Sequence, residues 1–146
     1  MITRQIVKKE KNNSFYPVNM NEISEAEKDL GLTFPKELKD FYIQIGYGFF
    51  GGSRFNIDRL MDPYSVRDFR LRQNDFEFYP DIDIYDDYED NKLIFFETNE
   101  SALLSIELGS KEKSKIYYYN TVIADSLEEF IIKIQENDSY FVNMLE

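Results

Sequence analysis

The chain has 146 residues, 42% of them hydrophobic and 16% aromatic, with no cysteine, no histidine and a formal net charge of −11. That length suits one domain (1–146) that buries about 68–70% of its unfolded surface without a disulfide or metal. Without Cys and His, nothing implies a thiol nucleophile, a zinc site or an imidazole base; the acidic balance disfavours direct binding to nucleic acid, whose phosphates are bound by Lys and Arg, and suits a basic partner.

Residues 1–18 hold the one basic run, Arg4, Lys8, Lys9 and Lys11. Ile2, Ile6 and Val7 suit one side of a short helix, and Phe15, Tyr16 and Val18 a short extended piece that Pro17 confines to an edge. No apolar run approaches the ~18–20 residues that span a bilayer. The opening MITRQIVKKEKNN lacks the uncharged apolar stretch of a secretory signal. A soluble cytoplasmic protein with no membrane association is expected.

Residues 23–52 are the best-punctuated stretch. Asn19 or Asn21 can cap a first helix. Ile23, Ala26, Glu27 and Leu30 repeat at helical spacing, and Gly31 stands where a left-handed C-terminal residue is wanted. Pro35 suits the first turn of a second helix, whose Leu38, Phe41, Tyr42 and Ile45 form an apolar stripe. Gly46, Gly48, Gly51 and Gly52 then end the helix. Gly46-x-Gly48-x-x-Gly51 formally matches a dinucleotide fingerprint, but that motif needs a strand before it and a helix after it. Here a helix precedes, and Phe49 and Phe50 fill the middle.

The alternation at 54–58 (RFNID) reads as a short strand, and Asp62–Pro63 as the cap and first residue of a helix running to about Leu71. Residues 74–91, NDFEFYPDIDIYDDYEDN, then interleave eight carboxylates with aromatics around Pro80 and read as an irregular loop with room for a short edge strand. Segments 92–98, 103–108 and 115–120 read as an antiparallel meander with turns at 99–101 and 109–111, and 121–124 as a last short strand. Ser126 and Glu129 form a capping box, ahead of a helix with Leu127, Phe130, Ile131 and Ile134 inside. Tyr140, Phe141, Met144 and Leu145 suit a tail packing back onto the body. The fold class is α+β, with N-terminal helices and a C-terminal helix on one face of a mostly antiparallel (mixed) β-sheet.

The acidic run admits several readings. As a calcium loop, Asp81 and Asp83 fit positions one and three. Tyr85, Asp86 and Lys92 then occupy the places of a third ligand, the glycine and the bidentate Glu, which excludes an EF-hand and leaves only a looser cation site. As a protein-binding face, Tyr79, Tyr85 and Tyr88 are amphipathic anchors. Asp75, Glu77, Asp81, Asp83, Asp86, Asp87, Glu89 and Asp90 would steer a cationic partner. The plain alternative is a solvated loop, or one neutralised internally by Arg54, Arg59, Arg67, Arg70 and Arg72. The triplet Tyr117–Tyr118–Tyr119 must divide between two faces of a strand and is not a site. Catalysis by a carboxylate pair has no defined separation to support it, and separation decides such chemistry.

Ile23, Glu27, Leu30, Gly31, Phe34, Pro35, Leu38, Phe41 and the glycines at 51 and 52, followed by Asp62–Pro63 with Val66, resemble the opening blocks of the SUKH superfamily (Smi/Knr-related). Segments 93–96, 103–108 and 116–119 are similar to its central strands, and Ser126, Leu127, Glu129 and Phe130 to its closing helix. The likeness runs from about residue 20 to 134. Departures are Gly46–Tyr47–Gly48–Phe49–Phe50 in place of an Asn-Gly-Gly-like exit, and a more strongly charged acidic loop. The resemblance implies an α+β fold with no cofactor; with no His, Cys or nucleophile motif, no enzymatic activity is expected. In bacteria it implies an immunity protein that blocks a polymorphic or contact-dependent toxin domain, often a nuclease, whose groove for phosphates is basic; a monomer is expected. An adaptor role in cell-wall or signalling regulation is the alternative it also carries, and a carboxylate-based enzyme comes third.

Overall fold

The computed structural model describes residues 2, 4–7, 13–51, 58–99 and 102–145. Seven strands follow one another across one sheet in chain order: β1 (Ser14–Tyr16), β2 (Tyr47–Phe49), β3 (Arg59–Leu60), β4 (Lys92–Glu97), β5 (Leu103–Glu107), β6 (Ile116–Tyr118) and β7 (Thr121–Ala124). Every neighbouring pair is antiparallel, so the expected admixture of parallel pairing is absent among the described residues. The helices α1 (Met20–Leu30) and α2 (Lys36–Gln44) fill the β1–β2 connection, α3 (Pro63–Leu71) the β3–β4 connection, and α4 (Leu127–Glu136) follows β7.

The helix boundaries are set by local chemistry. Asn19 Oδ1 accepts the Glu22 N–H at 2.9 Å, and Gly31 closes α1 in the left-handed region at φ 67°. Asp62 accepts the Ser65 N–H ahead of Pro63, and Ser126 Oγ accepts the Glu129 N–H at 3.0 Å. The Glu129 side chain pairs with Lys133 at 2.7 Å. Pro35 sits one residue earlier than expected: its ψ of 144° is extended, so it caps α2, which begins at Lys36.

Gly46 and Gly48 do more than end α2. They carry the chain into β2, which lies directly against β1 with Phe15 opposite Gly48. A Cβ on Gly46 would collide with the Tyr16 carbonyl oxygen, and one on Gly48 with that of Ser14. The strand expected at 54–58 lies, up to residue 57, outside the described residues; β3 begins at Arg59.

The core is aromatic. Phe34, Phe41, Tyr42, Phe69, Phe95, Phe96, Phe130 and Phe141 are all fully buried. The β4–β5 register shifts between Ile94 and Phe96, and this bulge lets the consecutive Phe95 and Phe96 both pack on Phe130, at 6.0 and 5.0 Å between ring centroids. Leu93 and Ile94, on opposite sides of the pleat, are both buried, so this strand is covered on both faces rather than on one. In the tail, Phe141 packs edge-on against Tyr118 at 5.0 Å and Tyr140 Oη donates to the Ile123 carbonyl at 2.8 Å, while Met144 is exposed.

Candidate partner-binding surface

Segment 74–90 is neither an irregular loop nor a strand. After α3 the chain turns through two left-handed residues, Arg72 (φ 55°) and Asn74 (φ 54°), makes a 3-10 helix at Asn74–Phe76, turns again at Asp81 (φ 57°), and enters a second 3-10 helix at Ile82–Tyr88. A 3-10 helix has three residues per turn, so side chains three apart share a face. Phe76, Tyr79, Ile82, Tyr85 and Tyr88 have that spacing, and they are the side chains turned toward the protein. Phe76, Tyr79 and Tyr85 all meet Phe69 of α3 edge-on, at 5.2, 6.2 and 6.0 Å. Tyr85 also stacks on Tyr119 at 6.0 Å and accepts the Leu103 N–H at 3.2 Å, while Tyr88 meets Tyr119 edge-on at 5.2 Å.

This placement divides the candidate contact residues. Tyr85 is buried, and Tyr79 and Tyr88 are half-buried against the body, so these three rings fasten the segment rather than stand free as anchors. Burial pushes the Tyr85 hydroxyl far above the usual phenol range and raises Tyr79 as well. Glu89 is also turned inward: burial raises its carboxyl, and bonding to Arg72 only partly offsets this. Asp75, Glu77, Asp81, Asp83, Asp86, Asp87 and Asp90 are all exposed.

Internal neutralisation is narrower than the arginine count implies. Arg72 binds Asp86 at 2.7 Å and Glu89 at 3.1 Å, with its guanidinium over the Phe69 ring. Burial pulls the Arg72 pKa down, but these two carboxylates outweigh it and leave it raised. Arg59 is committed to Asp62 and Glu97, Arg67 to Asp29 and Asp68, and Arg70 donates to the Lys92 carbonyl. Arg54 lies outside the described residues. Asp75, Glu77, Asp81, Asp83, Asp87 and Asp90 therefore carry no ion pair among the described residues.

Two side chains that composition did not single out stand among these carboxylates. Phe78 is 87% exposed and Ile84 50% exposed. The signal was the period of three: with 76, 79, 82, 85 and 88 inside, Phe78, Asp81, Ile84 and Asp87 fall on an outward line. Lys92 closes one end of the segment. Its ammonium lies 4.4 Å from the Tyr117 ring centroid and donates to Asn120 Oδ1 at 3.0 Å, and burial lowers its pKa.

A family model described as SMI1-KNR4 cell-wall (SUKH_6) matches residues 20–131, which include all of segment 74–90. The chain belongs to the SUKH family. One curated relative, the immunity protein YxxD of Bacillus subtilis (strain 168), is 61% identical over 140 residues, covering 96% of this chain and 95% of the relative. The SUKH match coincides with the blocks singled out from the sequence, from the capped α1 to the α4 helix. No helix among the described residues of this SUKH protein is long and apolar enough to cross a membrane.

Proposed function

We propose that this chain is an immunity protein that binds and neutralises a cognate polymorphic or contact-dependent toxin domain by protein–protein contact, without catalysis. The 61% identity over nearly the whole length to a protein named as an immunity protein carries this reading. The geometry supports it: six exposed carboxylates on segment 74–90 carry no ion pair among the described residues, and Lys92 is the one internal cation whose charge bears on any of them, Asp90. Like charges held together that way favour a cationic partner. A nuclease is the toxin class that fits best, because its phosphate-binding groove is basic. The protein acts as a monomer, one-to-one with its toxin, in the cytoplasm where the toxin would do damage.

The test is co-expression with the toxin encoded beside this gene. Protection of growth is expected, and absence of protection would remove the proposal. An adaptor in cell-wall or signalling regulation would instead give several weak partners and no protection.

A further inference from the structure

A surface cleft of about 360 Å³ is lined by Tyr79, Pro80, Asp81, Ile84, Tyr85 and Tyr119. Its walls are aromatic and aliphatic, and Asp81 is its one carboxylate. Burial raises the Tyr79 and Tyr85 hydroxyls above their ordinary range. Arg72 is committed to Asp86 and Glu89, and the Asp81 carboxylate carries no ion pair among the described residues. The cleft is also stiff. Tyr85 is stacked on Tyr119 and fixed by the Leu103 N–H, and Asp81 is turned at φ 57°.

We infer that this cleft is a socket for an arginine side chain of the partner, with the exposed Phe78, next in sequence to Tyr79, as a further apolar contact. The inference rests on the toxin-binding reading above. An arginine has a three-carbon stem that Pro80 and Ile84 can cover, and a planar head that stacks on tyrosine faces while its N–H groups meet a carboxylate. A lysine ammonium is more strongly hydrated and cannot stack, so arginine is the better occupant. Rigidity matters because a preformed socket loses little freedom on binding.

The experiment is a titration with N-acetyl-arginine amide, with N-acetyl-norleucine amide as the uncharged comparator. It is followed by NMR at the Ile84 methyls and the Tyr85 and Tyr119 rings. Asp81→Asn removes the charge while keeping a residue that tolerates the left-handed backbone. Asp75→Asn makes the same charge change on a residue that does not line the cleft. The expected result is saturable shifts at those three residues, with arginine amide bound at least about threefold more tightly than norleucine amide. The preference should be lost in Asp81→Asn and kept in Asp75→Asn. Equal binding of the two amides, or equal losses in the two variants, would overturn the socket. Because the probe is an amino-acid amide, that failure is separate from a failure of toxin protection.

Discussion

Glu37, in the first turn of α2, is a buried carboxylate, 7% exposed, whose partners are all backbone. Its Oε1 accepts the N–H of Ser114 at 2.8 Å and of Leu127 at 3.0 Å, and its Oε2 accepts that of Glu128 at 3.3 Å. Leu127 and Glu128 open α4, and the first N–H groups of a helix have no partner within it. One side chain therefore joins α2, the β5–β6 connection and the positive end of α4. Glu37→Ala would strand these donors away from water. At about 1–2 kcal/mol for each, the cost is about 3–6 kcal/mol, a large share of the ~5–15 kcal/mol that stabilises an ordinary domain. Glu37→Gln keeps one acceptor oxygen but turns an amide donor toward a backbone donor, at a cost of about 1–2 kcal/mol. Lys36→Ala, which breaks only the exposed Lys36–Glu112 pair, is the control and should leave the unfolding midpoint essentially unchanged. Urea unfolding read by far-UV circular dichroism gives the midpoint, and a constant slope confirms a stability change. The order Ala, Gln, control is expected. A Glu37→Ala midpoint equal to the control, or a Gln variant as unstable as the Ala variant, would refute the three-way tether. Should Glu37→Ala not fold, the Gln-to-control difference still decides.

Gly46→Ala should destabilise by more than about 2 kcal/mol, since a Cβ there meets the Tyr16 carbonyl at φ 118°; thermal melts that superpose on wild type would show that β1 does not pack as described. Glu89 gives a pH dependence of definite sign. Its folded carboxyl titrates above the unfolded one, so its contribution to stability falls as pH rises from the ordinary carboxylate range through the elevated value. The difference in unfolding free energy between wild type and Glu89→Gln should decline across that window, and a flat difference would contradict its burial. Phe78→Ser should leave the unfolding midpoint unchanged, because the ring is 87% exposed. The same change should speed dissociation from the toxin about tenfold, as loss of an interface anchor does; surface plasmon resonance reads both rates.

The parts of the fold that were legible in the sequence are those fixed by neighbouring residues. Asn19, Gly31, Asp62–Pro63 and Ser126 mark helix ends through hydrogen bonds spanning three or four positions, and they mark them correctly. The strands of the meander were legible from their branched and aromatic texture. Gly46 and Gly48 were half-legible. Their role as a helix exit is local, but their need to clear the β1 backbone arises only when residues 30 or more positions apart are brought together. The same limit governs segment 74–90. Composition marks it as acidic and aromatic, yet whether Tyr85 or Phe78 faces outward depends on Phe69 and Tyr119, which lie in other parts of the chain. The three-residue spacing of its aromatics was present in the sequence, but two-residue and 3.6-residue periods do not detect it. Arginine commitments were illegible for a related reason: Arg59, Arg67 and Arg72 sit close in sequence but face different carboxylates.

The claim that this chain binds a basic toxin through the outward face of segment 74–90 is tested most directly by one association rate. Asp75, Asp83, Asp87 and Asp90 are exposed and carry no ion pair among the described residues, whereas Asp86 is tied to Arg72 and is left intact. The measurement is stopped-flow association of the toxin domain with wild type and with the fourfold Asp→Asn variant, at about 50 mM salt, where the screening length is about 14 Å. The expected result is a variant that unfolds at or above the wild-type midpoint and associates at least about tenfold more slowly, with the gap closing as salt rises. Equal association rates at low salt would contradict the claim and move the interface elsewhere on the protein.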